Sequence, residues 1–570
     1  MKKRILAALV AAIMTLLCFA SALPALALGE SAVKYPTPEG YNDNDYQKLV
    51  TFLELEDGDG VKNGEKLSDA YDPTDPSTWY VSYVLEELGV WWENGRANYI
   101  EFACCDMIGD LDLSGCSALE YLSCYFNQLT GLDVSQCTEL SILYCDYNQL
   151  TELDVSDDPM LEEFACYGNQ LTELDVSNNP ALMYLYCDSN RLTELDVSNN
   201  PALLELYCNN NQLTELDVSN DPGLENLYCY SNQLTELDVS HNPALTVLDC
   251  YDNQLTKLDV PDDPALAYIH CGKNQLTELD VSGCTELSYL YCYKNQIAEL
   301  DVSSSPMLSY LNCYENRLAE LDVTHNPLLS KLYVSDNSIS ELDISNCPEL
   351  TVLYCNKNAL TVLDLSGCPL LEELYCGRND LSELDVSMCP ELKILYCNAT
   401  GVSELDLSSC GNLETLCAAD CFLKDAVFCR NEFILFDRVT AVGNGSFDLM
   451  FNEIDYGFSC ALAYPEEGTV FAGWFDGDDL ISNEEEIDLE GLSGGVLTAV
   501  FESGAPACAP GDVNGDGSID VNDALLVMRF AIETLTDLPV IEAADVNGDG
   551  NIDMADALII LRVSLGLMEL

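Results

Sequence analysis

Histidine is almost missing from this chain: 570 residues hold three, His241, His270 and His325. None stands in a zinc-ligand spacing, and no Gly-x-Ser-x-Gly elbow accompanies them. Imidazole-based catalysis therefore has little to work with. Basic residues are scarce too, 22 Lys and Arg against 98 Asp and Glu, for a net charge of −76. Such a chain repels phosphate backbones, which excludes nucleic acid and anionic membrane surfaces as partners and favours calcium or basic surfaces. Beyond the opening segment no apolar run is long enough to cross a bilayer, so no membrane insertion is expected.

That opening segment has its own pattern. Lys2, Lys3 and Arg4 precede a small and apolar run to Leu23, followed by Ala25-Leu26-Ala27. A basic start, an apolar middle and a small-residue end predict a signal peptide over 1–27, cleaved after Ala27. Loss of its three basic residues takes the charge from −76 to −79. Leu16-Leu17 before Cys18 is not a lipidation signal. The expectation is a secreted protein, extracellular or attached non-covalently to the cell surface.

What is abundant is repetition. Asn127, Asn148, Asn169 and their successors to Asn379 recur every twenty-one residues, within L-x-x-L-x-C-x-x-N-x-L-x-x-L-D-V-S. In "LYC" alternate residues point the same way, so Leu and Cys face inward and Tyr outward. One such unit cannot bury its own apolar edge, whereas stacked units make a continuous core. The cysteines from Cys124 to Cys397 keep the same pitch, with Val334 the one substitute. Stacked side chains on parallel strands point in one direction, poor geometry for disulfides, and Val in the slot marks a site for a small hydrophobe. A reduced, buried cysteine ladder follows. Cys116, Cys137, Cys284, Cys347, Cys368, Cys389 and Cys410 form a second row, filled elsewhere by Asn, Asp or Ser. The Asn ladder is expected to hydrogen-bond the backbone of neighbouring coils.

This pattern resembles the leucine-rich repeat of the short bacterial kind, over residues 98–424. The resemblance implies a parallel β solenoid with little helix, "LYC" forming one sheet and "LDV" short strands or extended turns opposite. Residues 28–97 read as an N-terminal cap, with a short helix in "NDYQKLVTFLEL" capped by Asp45. "DGDG" at 57–60 lacks a closing acid for a calcium loop and reads as a turn. From 425 to 503 the period breaks into alternating strands between glycines, a small β-domain that resembles internalin-type B repeats. Residues 504–510 form a linker.

The last segment carries chemistry. "DVNGDGSIDVND" and "DVNGDGNIDMAD" start thirty-three residues apart, at Asp512 and Asp545. Oxygen side chains at alternate positions of a tight loop can converge on calcium, glycine at six permits the turn, and Ile519 or Ile552 plugs the loop into a core. The first set of ligands is Asp512, Asn514, Asp516, the Ser518 carbonyl, Asp520 and Asp523. The second is Asp545, Asn547, Asp549, the Asn551 carbonyl, Asp553 and Asp556. Each loop runs into a single helix without a preceding one. That loop–helix duplication over 511–570 resembles the type I dockerin. It implies an α-helical EF-hand-like module, two calcium ions and a cohesin domain of a scaffoldin or surface protein as partner. The resemblance places cohesin contacts on Val521, Asn522, Met528 and Arg529, and on Met554, Ala555, Leu561 and Arg562. These pairs differ between halves and depart from the family's common Ser-Thr, which leaves cohesin specificity and binding orientation unassigned.

Nine tyrosines occupy the outward strand position: Tyr144, Tyr186, Tyr207, Tyr228, Tyr291, Tyr333, Tyr354, Tyr375 and Tyr396. Stacked aromatics stabilise a parallel sheet, and they also make a face for a protein or a glycan. The Asp of each "LDV" either bonds turn amides or forms a surface for cations or basic partners. Acid pairs sit on repeated positions, and a repeated residue is rarely a catalyst, so no catalytic residue is expected. The reading is a secreted, non-catalytic binding protein that docks through calcium and a cohesin onto a cellulosome-like complex or cell surface. The alternatives are a dockerin-borne polysaccharide-degrading enzyme, a glycoside hydrolase, or an adhesin or host-interaction protein.

Overall fold

The computed structural model describes residues 35–82, 87–260, 265–429, 438–452, 460–466, 469–476, 479–489 and 496–503. Nearer the C-terminus it describes 513, 518–531, 544, 546–547 and 551–565. The expected signal peptide and linker lie outside these residues. The chain divides into two compact units, one ending at Leu276 and one starting at Thr277.

The first unit opens with a cap. Helix Asp43–Leu53 buries Tyr46, Leu49, Val50, Phe52 and Leu53. Its N-cap is Asn42, whose side chain accepts the Asn44 and Asp45 N–H groups, and not Asp45 as the sequence suggested. The cap stands three residues earlier, which turns Asp45 inward. There its buried carboxylate accepts Arg96 Nε at 2.7 Å, Nη2 at 3.2 Å and the Ala97 N–H at 3.1 Å. Asp57–Gly60 is a turn, the Asp57 carboxylate taking the Asp59 and Val61 N–H groups. Strands Glu87–Glu93 and Arg96–Glu101 form an antiparallel hairpin through Asn94 and Gly95, both left-handed. A Cβ on Gly95 would lie 2.0 Å from the Gly40 carbonyl oxygen, so this turn requires glycine. Arg96–Glu101 then pairs in parallel with Tyr121–Ser123, which converts the hairpin into the first rung of the solenoid.

From there each coil contributes a three-residue strand. Tyr184–Tyr186, Glu205–Tyr207 and Asn226–Tyr228 pair in parallel with Leu185, Leu206 and Leu227 in register. These leucines and the following Cys187, Cys208 and Cys229 are fully buried, while the tyrosines are half-buried, as the alternation dictates. Each leucine so buried contributes roughly 1.5–3 kcal/mol, but only between two neighbouring coils, so the ends need covers. The Asn ladder closes each coil. Asn148 Nδ2 donates to the carbonyls of Cys124 in the preceding coil and Cys145 in its own, at 3.0 and 3.1 Å. Its Oδ1 accepts the Leu129 N–H at 2.9 Å. From Asn127 to Asn379 the amide at each pitch bonds backbone groups in this way. The residue before each Asn is left-handed, as in Tyr147, Ser189, Asn210 and Ser231, with φ between 49° and 56°. On the opposite side Glu236–Asp238 pairs with Lys257–Asp259, and most other "LDV" stretches of this unit are extended without a ladder.

The second unit repeats the scheme from Tyr289–Tyr291 to Ile394–Tyr396. Its last coil strand, Thr415–Leu423, pairs in parallel with Ile394–Tyr396 on one side and antiparallel with Gly445–Asn452 on the other. On the opposite side Glu404–Leu407 pairs with Asp425–Phe428, itself antiparallel to Arg438–Val442. The strands after the period break therefore continue both sides of the solenoid and cover its last coil. Trp474 is fully buried among them, its Nε1 donating to the Glu485 carbonyl at 3.2 Å. Among the described residues no helix is long and apolar enough to cross a membrane.

Candidate calcium module and tyrosine face

The C-terminal module is built from helices Val521–Ala531 and Met554–Ser564. They pack through Val513, Ala524, Val527, Ala544, Ala557 and Ile560, with Ile519 and Ile552 against the same core. Asp512, Asn514, Asp516, Asp545 and Asp549 lie outside the described residues, so the loops are described at their closing ends only. There the two halves match. Asp523 and Asp556 are fully buried at the first turns of their helices. Asp523 accepts the Val513 and Asp520 N–H groups, both at 2.8 Å. Asp556 accepts the equivalent Val546 and Asp553 N–H groups at 3.1 and 3.0 Å. Asp520 and Asp553 cap the helices, taking the Asn522 and Ala555 N–H groups at 2.6 Å. Buried carboxylates beside an all-oxygen donor set suit a hard cation, because an ionised carboxylate out of water needs compensating charge or hydrogen bonds.

The expected partner-facing residues separate into two groups. Val521, Asn522, Arg529, Met554, Ala555 and Arg562 are exposed, whereas Met528 and Leu561 are half-buried against the core. Leu525 and Leu558, which sequence reasoning passed over, are exposed at 50% and 48%. Each helix thereby carries an outward row at i, i+4 and i+8: Val521, Leu525 and Arg529 on one, Met554, Leu558 and Arg562 on the other. The signal was available in the spacing of these leucines from the arginines.

The tyrosine face is a stack. In the first unit the Tyr186–Tyr207 and Tyr207–Tyr228 ring centroids lie 5.0 and 4.3 Å apart. Tyr144 packs edge-on against Tyr121 at 5.8 Å, and Asp249 and His270 interrupt the row. In the second unit Tyr291, Tyr310, Tyr333, Tyr354, Tyr375 and Tyr396 follow one another at 4.0 to 5.4 Å. Tyr310 was not foreseen: it stands two residues before Asn312, the residue in the usual tyrosine slot, and fills the gap from the side. The Tyr207–Tyr228 and Tyr375–Tyr396 rings stack at 23° and 10°, and the other neighbours are tilted by 31° to 57°. Tyr186 and Tyr354 donate to Glu205 and Glu373 at 3.0 and 3.1 Å. Burial first, and then neighbouring hydroxyls, raise the Tyr207 and Tyr354 pKa values, so both remain protonated donors.

The acids of "LDV" resolve in favour of turn bonding. Asp154, Asp175, Asp196, Asp217 and Asp238 each accept the N–H of the serine two residues on, at 2.9 Å. The Ser156 hydroxyl and N–H hold the Asp154 carboxyl below its usual range.

Residues 510–562 match the dockerin type I domain family. Among solved structures, the functional domain of InlJ from Listeria monocytogenes, which includes a cysteine ladder, is 33% identical. That match covers 69% of this chain and 90% of that one, with a TM-score of 0.51. YopM from Yersinia enterocolitica is 29% identical over 56% of this chain and 70% of its own, TM-score 0.48. A leucine-rich repeat protein of Leptospira interrogans is 25% identical over 51% and 90%, TM-score 0.44. No match was found among curated proteins.

Proposed function

The chain belongs to the leucine-rich repeat proteins and carries a C-terminal type I dockerin module, and from that premise we propose an exported, non-catalytic binding protein. The dockerin docks onto a cohesin of a scaffoldin or surface protein, with one calcium ion in each loop. Asp512, Asn514, Asp516, Ser518, Asp520 and Asp523 hold the first ion, and Asp545, Asn547, Asp549, Asn551, Asp553 and Asp556 the second. Calcium supplies positive charge that neutralises the loop carboxylates and fixes each loop against its helix. The outward rows ending at Arg529 and Arg562 form the docking surface, with one side chain per turn.

The solenoid is the cargo, and its tyrosine face binds a protein. The observation that carries this choice is the close packing of the rings: a sugar ring needs an open aromatic face, and these ring centroids lie 4.0 to 5.4 Å from the next in the second unit. Edges and hydroxyls suit peptide groups and side chains instead. The test is to probe a panel of cohesin domains with the full chain in calcium, and to incubate it with plant polysaccharides. Capture by a cohesin without release of reducing ends is the expected result. Sustained release of reducing ends contradicts the non-catalytic reading.

A further inference from the structure

The row that closes each coil changes identity at its last two rungs. Asn379 Nδ2 donates to the Cys355 and Cys376 carbonyls at 3.0 and 2.9 Å. One pitch later Thr400 donates to the Cys397 carbonyl at 2.9 Å. One pitch after that stands Cys421, whose thiol also donates to the Cys397 carbonyl, at 3.1 Å. Cys421 takes the place of an amide and fills it structurally. It also brings a second sulfur to the end of the cysteine ladder. The ladder slot of this coil is occupied by Ala418, so Cys421 reaches Cys397 from three residues further on. Ladder cysteines sit at equivalent points of adjacent strands and run parallel, which keeps them apart. Cys397 and Cys421 sit at non-equivalent points and converge: the Cys421 sulfur lies 3.1 Å from the Cys397 carbonyl oxygen and 3.4 Å from Thr400 Oγ1.

The backbone holds this thiol in an unusual setting. Asp420 keeps the left-handed conformation of Ala399 and Arg378 before it, with φ of 58°, and Phe422 on the other side of Cys421 adds a second left-handed residue, with φ of 57°. Such residues cost roughly 1–2 kcal/mol each unless something else fixes them. Here the Asp448 carboxylate does so, accepting the Asp420 N–H at 2.7 Å and the Phe422 N–H at 3.1 Å. The strand is irregular over this stretch, its pairing with Gly445–Asn452 shifting between Ala418 and Leu423. Phe422 is 50% exposed and Cys421 beside it 4%, so the bulge meets solvent next to a buried thiol, whereas Cys397 and Cys376 are at 0%. Hydrogen bonding by Cys397 and Thr400 outweighs burial and brings Cys421 down to about 7, whereas burial pushes Cys355 up to about 12. The thiolate is the attacking species in disulfide exchange, so Cys421 reacts first.

We propose that Cys421 and Cys397 are a redox-responsive thiol pair, oxidised to a disulfide by exchange with a low-molecular-weight disulfide. Cys421 loses its proton to solvent and its sulfur attacks one sulfur of the reagent, expelling a thiolate that takes up a proton. Cys397 then loses its proton and attacks the Cys421 sulfur, expelling the second small thiolate. Two protein thiols are oxidised by two electrons in all, and one reagent disulfide is reduced to two thiols. The bond fastens strand Thr415–Leu423, and with it the strands that cover the last coil, to the coil before.

The experiment treats the full chain with oxidised glutathione, traps remaining thiols with N-ethylmaleimide and maps disulfides by mass spectrometry. The Cys397–Cys421 cross-link is expected to form about tenfold faster than any adduct on Cys376 or Cys355. Cys397→Val, the substitution the ladder already carries at Val334, is expected to leave a stable glutathione adduct on Cys421. Cys421→Asn restores the amide rung and is expected to abolish both products while folding normally. Modification confined to the exposed Cys104, or an adduct on Cys421 that Cys397 never resolves in the unaltered chain, overturns the proposal.

Discussion

Asn179 Nδ2 donates to the Asp158 carbonyl at 2.9 Å, while the Asp158 carboxylate one rung earlier has no hydrogen-bond partner among the described residues. The two residues hold the same place in consecutive coils, and both are fully buried. Asn179 also donates to the Val155 carbonyl at 2.9 Å, so this slot faces two carbonyl oxygens and wants a donor. A carboxylate offers none unless protonated. Asp221 repeats the situation.

The consequence is a pH dependence opposite in sign to that of most surface acids. Burial first, then Asp157 and Asp154, raise Asp158 to about 7 from 3.8, and burial and Asp217 do the same for Asp221. The folded state binds the proton more tightly than the unfolded one, so this stability is present below the unfolded value and is lost as pH rises through about 7. Asp158→Asn with Asp221→Asn is expected to raise the urea midpoint at pH 8 and to change it little at pH 4. Equal shifts at both pH values would contradict the argument.

Removing a rung of the main amide ladder acts the other way. Asn211 Nδ2 donates to the Cys187 and Cys208 carbonyls at 3.0 and 3.1 Å, and its Oδ1 accepts the Leu192 N–H at 2.9 Å. Asn211→Ala orphans the buried Leu192 N–H, at about 1–3 kcal/mol, and takes one of two amide donors from each carbonyl, which keep Asn190 and Asn232. Thermal unfolding should show a loss of several degrees. A neutral effect would mean that water reaches the rung.

The tyrosine face separates binding from stability. Tyr375 stacks on Tyr396 at 4.6 Å and packs tilted against Tyr354 at 4.0 Å, so truncating it breaks two contacts of about 0.5–1.5 kcal/mol each. Tyr354→Phe keeps the ring and loses only the hydroxyl that donates to Glu373. With a protein partner in hand, Tyr354→Phe is expected to weaken binding with an unchanged melting temperature, and Tyr375→Ala to lower both. Unchanged affinity in both variants would assign the stack to stability alone.

Much of this was legible in the residue order because period and burial coincide. Leu206, Cys208 and Asn211 recur at the same pitch and land in the same environment in most coils. The left-handed residue before each Asn was not legible, since that place holds Tyr147, Ser189, Lys294 or Arg378. Its conformation recurs at Ala399 and Asp420, before Thr400 and Cys421, so it belongs to the coil path and not to its own side chain. The fusion of the strands after residue 425 with both sides of the solenoid was also hidden, because antiparallel pairing leaves no repeat to count. Tyr310 escaped for a related reason, filling a neighbour's gap rather than its own slot. Asp45 was misread as a cap because an acid near a helix start suits either role, and only Arg96 distinguishes them.

The central claim is calcium-dependent docking, and calorimetric titration of the full chain against a cohesin it captures tests it most directly. Binding in calcium is expected, lost on chelation and in Asp523→Ala with Asp556→Ala, the two buried carboxylates that close the loops. Binding that persists without calcium, or its absence while the ions still order the two helices, would contradict the account.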